Sequence, residues 1–280
     1  MAFVERDGRR YFSVAYRPAP NSPRSSLGVA VIHSFGFEQL TLHPLEVMAA
    51  RALAERGMPA VYLQAQGYGD SGGDFARVSL ATHVRDALVA GDRLRELFAV
   101  DRVALAGPRF GATAALLAAQ EQPGSVHAVA AWHPLARGKA FFGSMLRSAA
   151  AGRLADGSAS GPGAMRRQFE ESGRLDLLGY PVHRAQFEEG VELDLVGRLE
   201  RAPGQVLLVE LVRDGRPDPD HRALRSRLLD LGARVDERTV ALQGRQDIGL
   251  PVPHAVTPAV LRPLFERIAD VTAEWIGGLG

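Results

Sequence analysis

Residues 102–120 read RVALAGPRFGATAALLAAQ. Arg102–Ala106 is a short apolar run of the kind that forms a strand covered on both faces. Phe110–Gln120 is rich in small residues with helical spacing. Gly107-Pro108-Arg109-Phe110-Gly111 joins the two directly. Its glycine spacing matches G-x-S-x-G and predicts a tight, strained turn whose middle side chain projects at a helix N-terminus. A strand that feeds straight into a helix is half of a βαβ unit, so the flanks should repeat the pattern.

They do. Upstream, Leu27–Ile32 is an apolar strand, His43–Arg56 a helix stopped by Gly57, Met58–Ala65 a strand and Ser79–Phe98 an amphipathic helix. Downstream, His127–Trp132 is another strand. At the start, Phe3–Arg6 and Arg9–Arg17 flank Asp7-Gly8 as a β-hairpin, and Pro18–Ser26 is a loop. The rhythm breaks over 135–200, where several helices and the Ala/Gly/Ser-rich stretch Ala149–Gly163 read as an insertion over the sheet. It resumes with a strand at Gln205–Val212, a helix at Asp220–Leu231, a strand at Arg234–Ala241 and a helix near Thr257–Ile276. The expectation is one α/β domain: a mostly parallel central sheet with helices on both faces. Residues 1–134 and 201–280 would form its core and 135–200 a helical lid.

Composition narrows the function. The chain has 280 residues and is 46% hydrophobic, enough for one large core and too apolar for disorder. Net charge is +1, and no long basic block occurs, so nucleic acid is not an expected partner. Lys139 is the only lysine, so the other 32 of 33 basic residues are arginine, which reflects GC-rich coding rather than function. Cysteine is absent, which removes disulfides, thiol nucleophiles and thiolate metal sites. MAFVERDGRR has no apolar core of a signal peptide, and no stretch of ~18 uncharged apolar residues occurs, so a soluble cytoplasmic protein off the membrane is expected. No histidine pair with a third ligand appears, and no metal or other cofactor is expected. Gly67–Gly73 lacks a phosphate-loop lysine and reads as a structural turn in which Asp70 and Ser71 bond local backbone.

In such a sheet ligands lie beyond the carboxyl ends of the strands. The segments found there resemble the α/β-hydrolase superfamily over nearly the whole chain. They are closest to a branch described as serine-aminopeptidase-like or exosortase-associated hydrolases. Three segments carry the resemblance: Phe35–Glu38 with Leu45 to Gly73 downstream, the elbow Gly107–Ala112, and Trp132-His133-Pro134 with Gly138 and Phe141. The resemblance implies the nucleophile-elbow fold, an acyl or ester substrate, and an oxyanion hole after the first central strand. It departs at the elbow, where Arg109 stands at the serine position; the branch itself carries arginine there. Arginine is no acyl nucleophile, so a serine acyl-enzyme at the elbow is not expected.

Each candidate has two readings. Arg109 anchors an anion at a helix start, or folds onto an acid such as Asp70 or Glu38 and braces the turn. Glu38 is a general base, or the partner in that brace. Ser34 and Phe35 supply oxyanion N–H groups with Phe110, Ser34 is a displaced nucleophile, or the segment is only a tight turn. His133 is an acid–base group where the branch usually has Asp, or a hydrogen-bonded rim histidine. The resemblance gives Asp214 the acid slot, with Asp218 and Asp220 close by. It gives His254 the base slot, with Asp247 nearer the expected place. The other histidines, at 43, 83, 127, 183 and 221, read as surface or helix positions. Phe141, Phe142, Phe169, Tyr180 and Phe187 read as a lid core.

The expected function is acid–base chemistry on a small acylated molecule without a serine nucleophile. It would be elimination of a carboxylate such as acetate, or hydrolysis, in a natural-product pathway by analogy with hydrolase-like eliminating proteins. The alternatives are a non-catalytic protein that binds a carboxylate ligand or a partner, and a serine hydrolase using Ser34. A homodimer is left open.

Overall fold

The computed structural model describes residues 1–20, 22, 25–144, 162–177, 180–213, 215–243 and 258–279. Eight strands form one sheet in the order β1-β2-β4-β3-β5-β6-β9-β10. These are β1 (Ala2–Arg6), β2 (Arg9–Tyr16), β3 (Leu27–Val31), β4 (Ala60–Leu63), β5 (Arg102–Pro108), β6 (Ala128–Trp132), β9 (Gln205–Val212) and β10 (Arg234–Ala241). The hairpin β1–β2 and its contact with β4 are antiparallel; every other pairing is parallel. Asp7 and Gly8 take φ of 50° and 71°, the left-handed turn that Asp-Gly favours.

The central strands alternate between two cores. Val29 and Val31 pack toward α1 (Gln39–Glu55) and the last helix, α8 (Pro258–Gly277). Ala30 and Ile32 pack toward α2 (Leu80–Phe98) and α3 (Phe110–Glu121). Continuous apolar runs follow from this double covering. Trp132 ties β6 to α8, its Nε1–H donating to Thr272 Oγ1 at 2.8 Å. Ser79 and Thr82 form a reciprocal capping box that starts α2.

β3 sends its chain outward to β4, while β5 pairs on its other side. The carboxyl ends of β3 and β5 therefore flank the switch point, where an open α/β sheet leaves a crevice. Ser34, Phe35 and Arg109 all follow these ends.

Between β6 and β9, residues 138–144 begin a helix, and α4 (Pro162–Ser172), α5 (Arg184–Val191) and α6 (Leu195–Arg198) follow. The expectation of helices alone needs correcting here. β7 (Arg174–Leu177) and β8 (Tyr180–His183) form a separate two-stranded antiparallel sheet, with Leu175 and Val182 buried. Phe141, Phe142 and Phe169 are buried in the same core as α2 and α3. The Gly67–Gly73 loop is a structural turn: Ser71 Oγ donates to Gln64 O at 2.6 Å and accepts from Phe12 N–H at 2.9 Å. Asp70 joins it through its backbone N–H, which donates to Gln64 Oε1, rather than through its side chain. Most of Ala149–Gly163 lies outside the described residues.

Candidate active site at the strand-to-helix elbow

β5 runs into α3 through Arg109 alone, at φ 52° and ψ −115°. A non-glycine residue pays conformational energy to stand there. Neighbouring backbone imposes the geometry. A Cβ on Gly107 would lie 2.5 Å from the Ile32 carbonyl oxygen, and one on Gly111 2.6 Å from those of Ile32 and His33. Only two glycines let the turn press this closely on the end of β3. Arg109 N–H donates to Trp132 O at 2.9 Å, which fixes the corner from the other side.

The Arg109 side chain reaches Glu38. Its Nε donates to Glu38 Oε1 at 3.1 Å, and both residues are buried, at 8% and 2% exposure. Its guanidinium also lies 5.1 Å from the Phe141 ring centre. Of the acids named for a brace, Glu38 is the one it meets. The contact uses one nitrogen; the two terminal nitrogens have no hydrogen-bond partner among the described residues. Glu38 keeps Oε2 buried and unpartnered. Burial pushes its carboxyl up and Arg109 pulls it down; burial wins, and the group rises to about 7. A carboxylate poised there can exchange a proton near neutrality.

Ser34 is engaged elsewhere. Its N–H donates to Glu46 Oε1 at 3.0 Å and its Oγ lies 3.4 Å from the same oxygen. His33, its neighbour, uses Nδ1 on Ser34 O and accepts Ala65 N–H at Nε2. No described histidine accepts from Ser34 Oγ. Glu46 is fully buried on α1, and its role was not read from the sequence. Its signal was an acid within the stripe Leu42, Leu45, Ala49. With Ser34 N–H occupied, the backbone donors beside the elbow that meet no acceptor among the described residues include those of Phe35 and Phe110.

His133 follows β6 at φ 49°, another left-handed non-glycine position. Its N–H donates to Val209 O at 2.7 Å, and its Nδ1 accepts from Leu211 N–H at 3.4 Å. The ring stacks on His221, with centres 4.7 Å apart and planes 25° from parallel. Burial, then the Arg109 charge and His221, hold His133 well below the usual histidine range, so it is neutral at pH 7. Residues 83 and 221, read as surface or helix positions, are on helices but not on the surface. His221 is 3% exposed and His83 1%. Burial lowers each to about 4. His221 lies on α7 (Pro219–Asp230) in the buried seam with Leu224 and Leu228, an i, i+3, i+7 spacing visible in the sequence.

Asp214, Asp247 and His254 lie outside the described residues. Asp218 caps α7 by accepting Asp220 N–H at 2.8 Å, and Asp220 pairs with Arg137 at 3.5 Å. Among the described residues no group of three or more His, Asp and Glu could hold a metal ion. A cavity of about 10 Å³, room for one water-sized group, sits against Phe35, Phe110 and Phe142 under Gln186 and Gly190.

No protein-family model matches this sequence, and no curated protein matches it. Solved structures do. Est1E from Butyrivibrio proteoclasticus, with ferulic acid bound, is similar over 99% of both chains at 18% identity and a TM-score of 0.68. Mouse alpha/beta hydrolase domain-containing protein 10 is similar over 98% of both chains at 15% identity and a TM-score of 0.55. XC6422 from Xanthomonas campestris, an α/β serine hydrolase without lid, is similar over 94% of this chain and 89% of its own, at 17% identity and a TM-score of 0.53.

The fold is the α/β-hydrolase fold. Likeness at these identities speaks for architecture, not activity. Among the described residues no helix is long and apolar enough to cross a membrane.

Proposed function

We propose that this chain is an enzyme that breaks an acyl or ester bond by acid–base chemistry, with arginine in place of the elbow serine as in the branch it resembles. The observation that carries this is the Arg109–Glu38 pair at the strained turn, with an unpartnered carboxylate oxygen on one side and, among the described residues, unpaired guanidinium nitrogens on the other. Glu38 Oε2 takes a proton. In elimination the proton comes from carbon, the electrons of that C–H bond form the alkene, and the C–O bond breaks. The carboxylate leaves with its electron pair onto the Arg109 terminal nitrogens. In hydrolysis the proton comes from water, whose oxygen adds to the acyl carbon. The resulting oxyanion is held by the N–H groups of Phe35 and Phe110. The oxyanion then collapses, the acyl C–O bond breaks, and the departing alkoxide takes the proton held on Glu38 Oε2; neutral His133 hydrogen-bonds that oxygen through Nε2–H and keeps its own proton. The substrate is a small acylated molecule, and the location is the cytoplasm.

Glu38→Gln is expected to cut carboxylate release by about 10²–10⁴-fold. The assay covers simple esters and β-acyloxy carbonyl compounds, with alkene and alcohol products told apart by mass spectrometry. Circular dichroism checks that the variant stays folded. Full turnover by folded Glu38→Gln sinks the reading. A fluorophosphonate probe should leave the folded protein unlabelled; a label on Ser34 identifies a serine hydrolase instead.

A second reading draws on the Arg109 terminal nitrogens left unpaired among the described residues: a protein that binds a carboxylate ligand without turnover. It predicts ligand-induced stabilisation and no product from any of these substrates.

A further inference from the structure

His221 is the anomaly of the rim. A neutral imidazole has one N–H donor and one acceptor nitrogen. His221 is 3% exposed, yet both nitrogens lack a partner. His33 uses both of its nitrogens, and His83 and His133 one each. Buried polar groups without partners are costly, and an apolar residue would fill this place more cheaply. His133 adds a second cost, since it adopts φ 49° at the point where its ring lies flat against His221.

On the Arg109 side of the ring pair donors predominate, while the Asp218 carboxylate lies on the His221 side. Leu211 N–H occupies His133 Nδ1, which leaves the ring proton on Nε2. The terminal nitrogens of Arg109 and the N–H of Phe110 are unpaired among the described residues. Glu38 Oε2 is a buried acceptor without a partner at the elbow.

We propose that His133, His221 and the terminal nitrogens of Arg109 together receive the carboxylate of a small organic acid. This rests on the reading of Arg109 as an anion clamp, and adds two imidazoles and a ligand class to it. A carboxylate presents two oxygens in one plane: one meets the guanidinium edge and the other an imidazole N–H. At His133 the Arg109 charge disfavours a cation; at His221 the Asp218 carboxylate pulls the other way, ahead of Arg109, so the charged end of the ligand belongs on the Arg109–His133 side. Phosphate brings a second negative charge to a site with one guanidinium and two neutral rings. The His221 nitrogens are covered in this structure, so binding turns that ring until one nitrogen reaches the ligand.

The test uses acetate, with inorganic phosphate as comparison, on the whole protein at pH 7. Histidine ring nitrogens are followed by ¹⁵N NMR and unfolding by a thermal scan. Acetate is expected to raise the unfolding temperature and to move the ring nitrogens of both His133 and His221. His221→Phe keeps the stacked ring and should weaken acetate about tenfold, the worth of one lost hydrogen bond to a charged group. Wild-type ring shifts settle the matter even if that variant does not fold. Acetate that leaves the His221 nitrogens unmoved, or binds His221→Phe unchanged, overturns the receptor, as does phosphate binding equal to or tighter than acetate. Loss of acetate in Arg109→Met alone overturns the receptor but leaves the clamp. Full turnover by Glu38→Gln sinks the reaction without touching this result.

Discussion

Lowering the pH from 7 to 4 should unfold this protein in one steep step below about pH 5, driven by protons taken up on four histidines and partly offset by those that buried carboxyl groups give back. The cause is the set of histidines kept neutral by the fold. Burial holds His33 to about 3 and His83 and His221 to about 4, and His133 well below its ordinary value. An unfolded chain protonates each near ~6.5. Between those limits the unfolded state binds more protons, so stability falls as pH falls. Each of the three buried rings costs of order 3 kcal/mol by pH 4, and their sum approaches the whole stability of an ordinary domain.

Three buried carboxylates oppose this at first. Glu38 rises to about 7, and burial also raises Glu46 and Asp86. Each binds its proton in the folded state first, so each adds stability as pH falls toward its ordinary range. That gain ends once the unfolded chain protonates too, near ~4.3. The histidine cost continues. Stability should therefore change little between pH 7 and 6 and collapse below about 5. Urea midpoints at intervals of pH measure this. His83→Phe, which removes one such ring from the apolar cluster of Phe35, Tyr68 and Phe110, should shift the transition to lower pH. A midpoint that stays put in this variant, or a shallow slope, refutes the account.

The legible part of the fold was the part built from local signals. Apolar runs marked β3, β5, β6 and β9, and Asp-Gly marked the first hairpin, because a doubly covered strand and a left-handed turn each restrict residue choice. The β7–β8 hairpin went unread. Leu175 and Val182 are its buried pair, too short an alternation to stand out among charged neighbours. At the site, Arg109 and Glu38 were both visible, and so was their pairing as one of two readings. What no local signal told was how the guanidinium divides, with one nitrogen bracing and two unpaired among the described residues. Glu46 was hidden for another reason. Its partner Ser34 is 12 residues away on a different element, and only the packing of α1 against β3 brings them together. His221 shows the reverse case: its spacing with Leu224 and Leu228 was in the sequence, and residue type alone masked it.

Gly111→Ala should be among the most damaging single-methyl changes in the molecule. The new Cβ would lie 2.6 Å from the carbonyl oxygens of both Ile32 and His33. Neither oxygen can retreat cheaply. Ile32 N–H is bonded to Ala106 O at 2.8 Å, and His33 is 1% exposed with both ring nitrogens bonded. The helix must therefore move instead. α3 is buried along most of its length, so a shift opens voids against β5 and β6. Overpacking against side chains costs about 1–3 kcal/mol, and a backbone obstruction on two sides belongs at about 4 kcal/mol or more. For a chain of this size that is a fall of roughly 10 °C in Tm. Gly204→Ala is the control, since its Cβ meets nothing within 4 Å and should cost a few tenths of a kcal/mol at most. The same shift would draw Arg109 Nε away from Glu38 Oε1, so carboxylate release should fall in whatever fraction remains folded. A Gly111→Ala protein that melts within about 2 °C of the parent would mean that α3 is free to slide. The close approach of elbow and β3 would then be no constraint, and the positioning of Arg109 would need another cause.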